Sequence, residues 1–349
     1  MIHLNNVGSA YEIGRQHGAS CPAAVRLACE AWSRFPGLTD SQVDTGLALV
    51  RHRLQRSFPE CLEEMRGIAD GSGLSEREIL ALNCFDAVLG VAAGKLCCST
   101  IGFVDSDVGV LLGKTADWHV EGAEDMSTWQ RYQPRPSEGY TFIHYGCAGT
   151  LWTEGGLNEA GLGMVLNGLP VTGSSEGVPW VPLTRGVLQH CRDVQEALTF
   201  LGRYDVMGWG FHLLLADAGG DLASIEVAPG VQAVRRPRGD LLIHTNHCLY
   251  PETKVLEMDE ATVDAYGQMG LLENSRARYR TLERIVPPAP RTLLSMQALL
   301  RDRSVPGAIS QNGEQGMRTA YAMIIAPARG RIWAAEGYPP EFPFVEYRV

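Results

Sequence analysis

Apolar residues recur at three- and four-residue intervals through roughly the first 95 positions, and after Cys98 the interval shortens to two. Ser9-Ala-Tyr-Glu12 has the spacing of a capping box and predicts a helix running to about Phe35. Thr39 or Asp40 opens a second helix within LTDSQVDTGLALVRHRLQRSF, and Pro59 a third, short one ending near Asp70-Gly71. Ser75-Glu-Arg-Glu78 is another capping box, followed by ILALNCFDAVLGVAA. The alternating segments predict strands at 99–105, 109–117, 140–147, 161–167, 209–216, 222–228, 231–236 and 241–246, with hairpin turns at DAGGD and RPRGD. Helical spacing returns at 181–202, 273–285 and 291–302, and the tail reads as a last hairpin, TAYAMIIAP and RIWAAEGY around Arg329-Gly330.

Helices first, then a long antiparallel series with helices inserted, is an α+β pattern rather than the regular alternation of a doubly wound sheet. The chain shows no repeat, low-complexity tract or interdomain linker, so residues 1–349 are expected to form a single domain.

With 45% hydrophobic and 20% charged residues, the chain has the composition of a packed globular protein. Its net charge of −10 repels a phosphate backbone, so no nucleic-acid partner is expected. The start, MIHLNNVGSAYEIG, has neither a basic n-region nor an apolar core, and no apolar run approaches the ~20 residues of a membrane span. The expectation is a cytoplasmic protein without a membrane partner. Nine cysteines without framework spacing read as thiols.

The segment LCCSTIGFVDSDVGVLLGKTADWH, 96–119, carries candidate chemistry. Its two strands form a hairpin, and Cys98 lies directly opposite Asp117 if the turn is centred between Asp107 and Val108. A slip of one residue puts Cys97 there instead. Adjacent cysteines at this place are two core thiols, a vicinal disulfide, or a nucleophile and its neighbour. His244 and His247 in HTNH raise the idea of a metal site, but the segment lacks a third and fourth ligand, and no metal or other cofactor is expected.

The chain resembles the acyl-coenzyme A:6-aminopenicillanic acid acyltransferase family (peptidase family C45) of the N-terminal nucleophile hydrolases. The resemblance rests on the order and spacing of GSAYEIGRQHG (8–18), PECLEEMRGIADG (59–71), Leu82-Asn83, Cys98-Ser-Thr100 and GKTADW (113–118). It continues through GLNEAGL (156–162), LTR (183–185) and HTNH (244–247) to the closing hairpin. It implies a four-layer αββα sandwich with a helical N-terminal segment. It also implies self-cleavage between Cys97 and Cys98, giving fragments 1–97 and 98–349 that stay together as an αβ pair. GRQHG itself reads as a structural helix turn.

By this resemblance Cys98 is the nucleophile, its freed α-amine the base, Asp117 the group that holds that amine, and Asn246 the oxyanion donor. The implied activity is cleavage or transfer of an acyl group at a small-molecule amide or thioester through a Cys98 thioester. Trp118, His119, Asn167 and Ser310 are the expected substrate contacts, and Trp152, Trp180, Trp209 and Phe211 further pocket candidates; Asn158 is expected to set a turn. Two features depart from the family pattern. Cys97 stands where Gly often precedes the nucleophile, and Gln311 and Asn312 follow Ser310 where an arginine is common, with Arg318 displaced. The second departure argues against penicillin-like substrates; the alternative to an enzyme is an uncleaved binding protein on the same scaffold.

Overall fold

The capping signals form as the sequence predicts. In the computed structural model, which describes residues 1–32, 37–89, 96–118, 123–174, 176–265, 270–313 and 317–349, Ser9 and Glu12 cap helix α1, Ala10–Ser20, reciprocally. The helix expected to reach Phe35 breaks at Cys21, and α2, Pro22–Trp32, starts afresh. Pro22 has no N–H to continue the ladder and sits at a first helical position, where none is needed. Thr39 and Gln42 cap α3, Asp40–Ser57. Helix α4, Pro59–Ser72, ends at left-handed Gly73, and Ser75 and Glu78 exchange cap bonds at the start of α5, Glu76–Leu89.

Helices α1 and α4 touch backbone to backbone. A Cβ on Gly14 would lie 2.0 Å from the Glu64 carbonyl oxygen, and one on Gly67 would lie 2.2 Å from that of Tyr11. Gly18 and Gly71 repeat the contact one turn on. This explains GRQHG and RGIADG: they are the facing stripes of one helix pair. Within it His17 Nε2 accepts the Gly149 N–H at 2.9 Å, and burial lowers the His17 pKa to about 3, so this histidine is a neutral structural acceptor. Gly67→Ala is expected to cost about 3 kcal/mol, the upper range for forcing a methyl into a packed contact, visible as a lower denaturant midpoint.

The described residues form an eight-stranded and a six-stranded sheet. The first runs Ile2–Gly8, Ser127–Pro134, Phe142–Cys147, Gly155–Asn158, Leu162–Leu169, Gly210–Asp217, Leu222–Ala228, Val231–Arg235. The second runs Leu241–His244, Leu96–Phe103, Leu111–Trp118, Arg318–Ala326, Arg331–Ala335, Val345–Arg348. The sheets pack face to face, with Gly102 against Leu214 and Leu222, and Gly163 against Ile325. Helix Trp180–His190 covers the first sheet, where Asn158 Nδ2 bonds the carbonyls of Leu188 and Cys191. Helices Leu271–Ile285 and Leu293–Leu300 cover the second, burying Leu282, Val286 and Met296 against Ile101, Leu111 and Ile324. The order is helix, sheet, sheet, helix, an α+β sandwich of four layers.

The 181–202 helix divides, because Asp193 leaves helical geometry to cap a new segment, Val194–Leu201. Four strands of the two sheets escape the pattern: Ile2–Gly8, Ser127–Pro134, Gly155–Asn158 and Val345–Arg348. Ile2–Gly8 pairs in parallel with Ser127–Pro134, a partner more than a hundred residues away. Among the described residues no helix is long and apolar enough to cross a membrane.

Candidate active site

The hairpin Leu96–Phe103/Leu111–Trp118 forms, but its register corrects the expected one. Cys97 lies opposite Asp117, and Cys98 opposite Ala116. The centre of the hairpin falls on Asp107, half a residue earlier than expected. The turn is tied there from outside: the Asp107 N–H bonds the Arg291 carbonyl at 3.2 Å, and Asp107 Oδ1 accepts the Leu293 N–H at 2.9 Å. A shift of one residue exchanges the two faces of a strand. Cys97 and Asp117 therefore face the outer helices, with Cys97 packed on Leu271, Leu272 and Met317. Cys98 faces the space between the sheets. Both are thiols, and their opposite orientation separates the core thiol from the one beside a cavity.

Four elements converge on the head of this strand. The Cys98 N–H donates to Asn246 Oδ1 at 2.6 Å. Arg278, fully buried on helix Leu271–Ile285, donates to the Cys98 carbonyl, to Ser99 Oγ at 3.0 Å and to Asn246 Oδ1 at 2.8 Å. Asn246 Nδ2 donates to the Gly168 carbonyl at 3.0 Å. Asp117 accepts from Gln311 Nε2 at 2.6 Å and Thr319 Oγ1 at 2.5 Å. Burial raises the Asp117 pKa, against the pull of Arg278 and of these two donors.

On the inner face Lys114 lies beside Cys98. Its Nζ donates to the Leu166 carbonyl and sits 3.6 Å from Glu154, which also accepts from Tyr321 at 2.9 Å. Burial pushes the Cys98 thiol up to about 11; Lys114 pulls it down and Glu154 pushes it further up. Cys98 and Glu154 line a narrow cavity of about 30 Å³ whose walls include Trp152, Trp180, Trp209 and Phe211.

The remaining sequence candidates lie elsewhere. Asn167 is buried behind strand Leu96–Phe103, its Nδ2 bonding Thr100 Oγ1 at 3.1 Å and reaching His212 and His244. Trp118 stacks on Trp152 with centroids 5.8 Å apart and so supports the cavity wall from behind. Ser310 turns away from Cys98 and donates to the Leu300 carbonyl at 2.7 Å; its neighbour Gln311 is the residue that reaches Asp117. His119 lies outside the described residues.

The histidines of HTNH position Asn246. His244 Nε2 meets Glu226 at 2.7 Å, its ring stacks on His212 at 3.7 Å, and Glu226 also accepts the Leu249 N–H at 2.7 Å, which closes the turn. His247 Nδ1 lies 2.8 Å from Ser275 Oγ, which accepts the Asn246 N–H at 2.7 Å. Lys114, Arg278, Glu154 and Gln311 were missed as site residues. Lys114 had one available signal: a lysine in a run of otherwise uncharged strand residues, LLGKTA, three before the candidate aspartate. Arg278 had none, because ENSRARYRTLERI reads as a solvated helix face.

The chain is similar to several known proteins. A 40 kDa form of acyl-coenzyme A:6-aminopenicillanic-acid-acyltransferase from Emericella nidulans is 23% identical over 282 residues, covering 78% of this chain and 77% of that one. Protein dcd1A of Dictyostelium discoideum is 30% identical over 170 residues, 45% of this chain and 36% of that protein. An Archaeoglobus fulgidus protein is 23% identical over 237 residues, 58% of this chain. The chain spans less than two fifths of the length of these last two, 36% and 38%. Among solved structures, penicillin V acylase from Agrobacterium tumefaciens aligns with a TM-score of 0.44 and 17% identity, covering 68% of this chain and 83% of that one. A Caenorhabditis elegans N-acylethanolamine-hydrolyzing acid amidase ortholog aligns with 0.46 and 13%, covering 72% and all of its own length. The profile of one family matches residues 104–341, well over half of the chain, and includes Asp117, Asn246 and Arg278: the chain belongs to the acyl-coenzyme A:6-aminopenicillanic acid acyl-transferase family.

Proposed function

We propose that the protein is a self-processing cysteine enzyme that cleaves or transfers the acyl group of a small-molecule amide through a Cys98 thioester. The observation that carries this reading is the placement of Cys98. Its thiol lines an apolar cavity while its backbone nitrogen is held by Asn246.

In self-cleavage the Cys98 thiol adds to the Cys97 carbonyl carbon. The peptide C–N bond breaks as the nitrogen takes up the thiol proton, and the Cys97 acyl group passes to sulfur. Water then hydrolyses that thioester, leaving a carboxylate on Cys97 and a free thiol and amine on Cys98. An α-amine titrates at about 7.7–8.0, so it accepts the thiol proton when Cys98 attacks a substrate amide and returns it to the departing amine. Water or an acceptor amine resolves the thioester, giving hydrolysis or transfer.

The neighbours support these roles. Arg278 fixes the Cys98 peptide through its carbonyl, and Asp117 lies opposite Cys97 on the outer side of the strand head. Asn246 Nδ2, held against Gly168 at the cavity wall, is the donor available to an oxyanion. Asn246→Ala is expected to lower kcat by ~10²–10³-fold with little change in KM, measured on processed protein.

The direct test is the intact mass of the purified protein under denaturing conditions. Two fragments, the larger beginning at Cys98, support the proposal. A single unprocessed chain that never turns over an amide removes it and leaves a binding protein on this scaffold.

A further inference from the structure

We infer that Asp86 is a recognition point for a primary ammonium group on the substrate, at the aromatic cavity beside Cys98. The inference deepens the proposed function and rests on it for the identity of the reaction. Asp86 lies on α5 just past a break at Cys84, where the backbone leaves helical geometry (φ −137°). Its carboxyl is buried, 2% exposed, and lines the cavity with Cys98. The Trp180 indole and the backbone N–H groups of Ala87 and of Asp86 itself lie close enough to pull its pKa down against burial. Its Oδ2, however, has no hydrogen-bond partner among the described residues.

The break in α5 does not call for a charge at this position. Asn, Ser or Thr caps a helix as well, and an unpaired carboxylate among apolar walls is costly. No described Lys, Arg or His lines the cavity. The titratable groups around Asp86 are Cys98 and Glu154 on the lining, Lys114 beside them and Cys84 on the same helix. Lys114 is already committed to Glu154 and the Leu166 carbonyl, and Glu154 is satisfied by Lys114 and Tyr321. Asp86 alone lacks a counter-charge.

The walls suit a cation. Phe85, Trp152, Trp180, Trp209 and Phe211 line the same space, and indole faces attract an ammonium. Trp152 and Trp180 meet edge to face at 5.4 Å, which makes a corner rather than a flat wall. A cavity of about 30 Å³ has room for roughly two waters, enough for a terminal ammonium and too little for a ring. The substrate class is therefore an amide whose apolar chain ends in a primary ammonium. Burial raises the Asp86 pKa to about 7, so the carboxylate is present above that pH and lost below it, while an alkylamine stays charged throughout.

The test compares methylamine with methanol, each with the two heavy atoms the cavity has room for, as non-reacting ligands of the wild-type protein, read by tryptophan fluorescence. The amine is expected to bind at least tenfold more tightly at pH 8.5, with the ratio falling towards one by pH 5.5. Asp86→Asn should abolish the preference and leave methanol binding unchanged. Equal affinities at pH 8.5, or an amine preference that survives Asp86→Asn, would overturn the inference. If Asp86→Asn does not fold, the pH series on the wild-type protein decides. Turnover of 3-aminopropanoyl and butanoyl p-nitroanilides separates this result from the reaction. Hydrolysis of both without preference, and no amine binding, sinks the inference and keeps the enzyme. Asp86-dependent amine binding without turnover of either anilide keeps the recognition point and counts against the amidase.

Discussion

Cys98→Ala protein is expected to remain one full-length chain and to lose amide turnover by about 10⁴-fold or more, the scale on which removal of a covalent nucleophile acts. The loss has two sources. The variant cannot cut its own chain, so no α-amine forms, and it cannot form a thioester. Cys98→Ser separates them: a hydroxyl keeps the shape but is the weaker nucleophile, so slow cleavage with strongly reduced turnover is expected. Cys97→Ala is the control. Its thiol packs outward against Leu271 and Met317, and trimming it should leave both cleavage and turnover in place. Intact mass and steady-state kinetics on the three variants read the outcome. An active Cys98→Ala protein, or a Cys97→Ala protein that alone loses activity, would assign the chemistry to the other cysteine. The buried thiol, held near 11, also predicts that cleavage of any surviving precursor speeds up as pH rises, because the thiolate is the attacking form.

Lys114→Met is the second large effect. Lys114 and Glu154 are both buried, at 0% and 2% side-chain exposure. Removing the lysine leaves Glu154 as an uncompensated carboxylate between the sheets, which typically costs about 3–5 kcal/mol. For a chain of this length that corresponds to a fall in Tm of about 4–7 °C. Pairing it with Glu154→Gln removes the stranded charge, so the double variant should recover much of the loss. The substitution also takes away the cation that pulls the Cys98 thiol down, so the double variant should regain stability without regaining full activity. Thermal unfolding and kinetics on the same samples check this; recovery of both together would show that Lys114 serves only the fold.

Local signals carried much of the architecture. Ser9, Thr39 and Ser75 with their Glu or Gln partners set three helix starts, and the caps formed there. Period-two runs located most strands, and Cys98 was legible as the head of a hairpin because a cysteine followed by Ser-Thr opens the first alternating segment. Ile2–Gly8 was not legible as a strand, because its sheet partner is a remote parallel one that leaves no trace in the local pattern.

The register shows where the local pattern stops. Leu111–Trp118 is buried at every one of its eight positions, so neither face is marked by solvent, and alternation alone cannot say whether Cys97 or Cys98 lies opposite Asp117. The docking of Asp107 on the Arg291–Leu293 segment decided it. The partners of the site were decided in the same way: Arg278 on a helix that reads as solvated, Gln311 rather than Ser310 at Asp117, and Lys114 with Glu154 from opposite sheets. By itself the sequence determined the helix starts, the alternating strands and the cysteine at the head of the hairpin, because these depend on neighbours a few residues away. Only the tertiary structure decided which face each side chain takes and which charges meet, because those depend on packing between segments far apart in the chain.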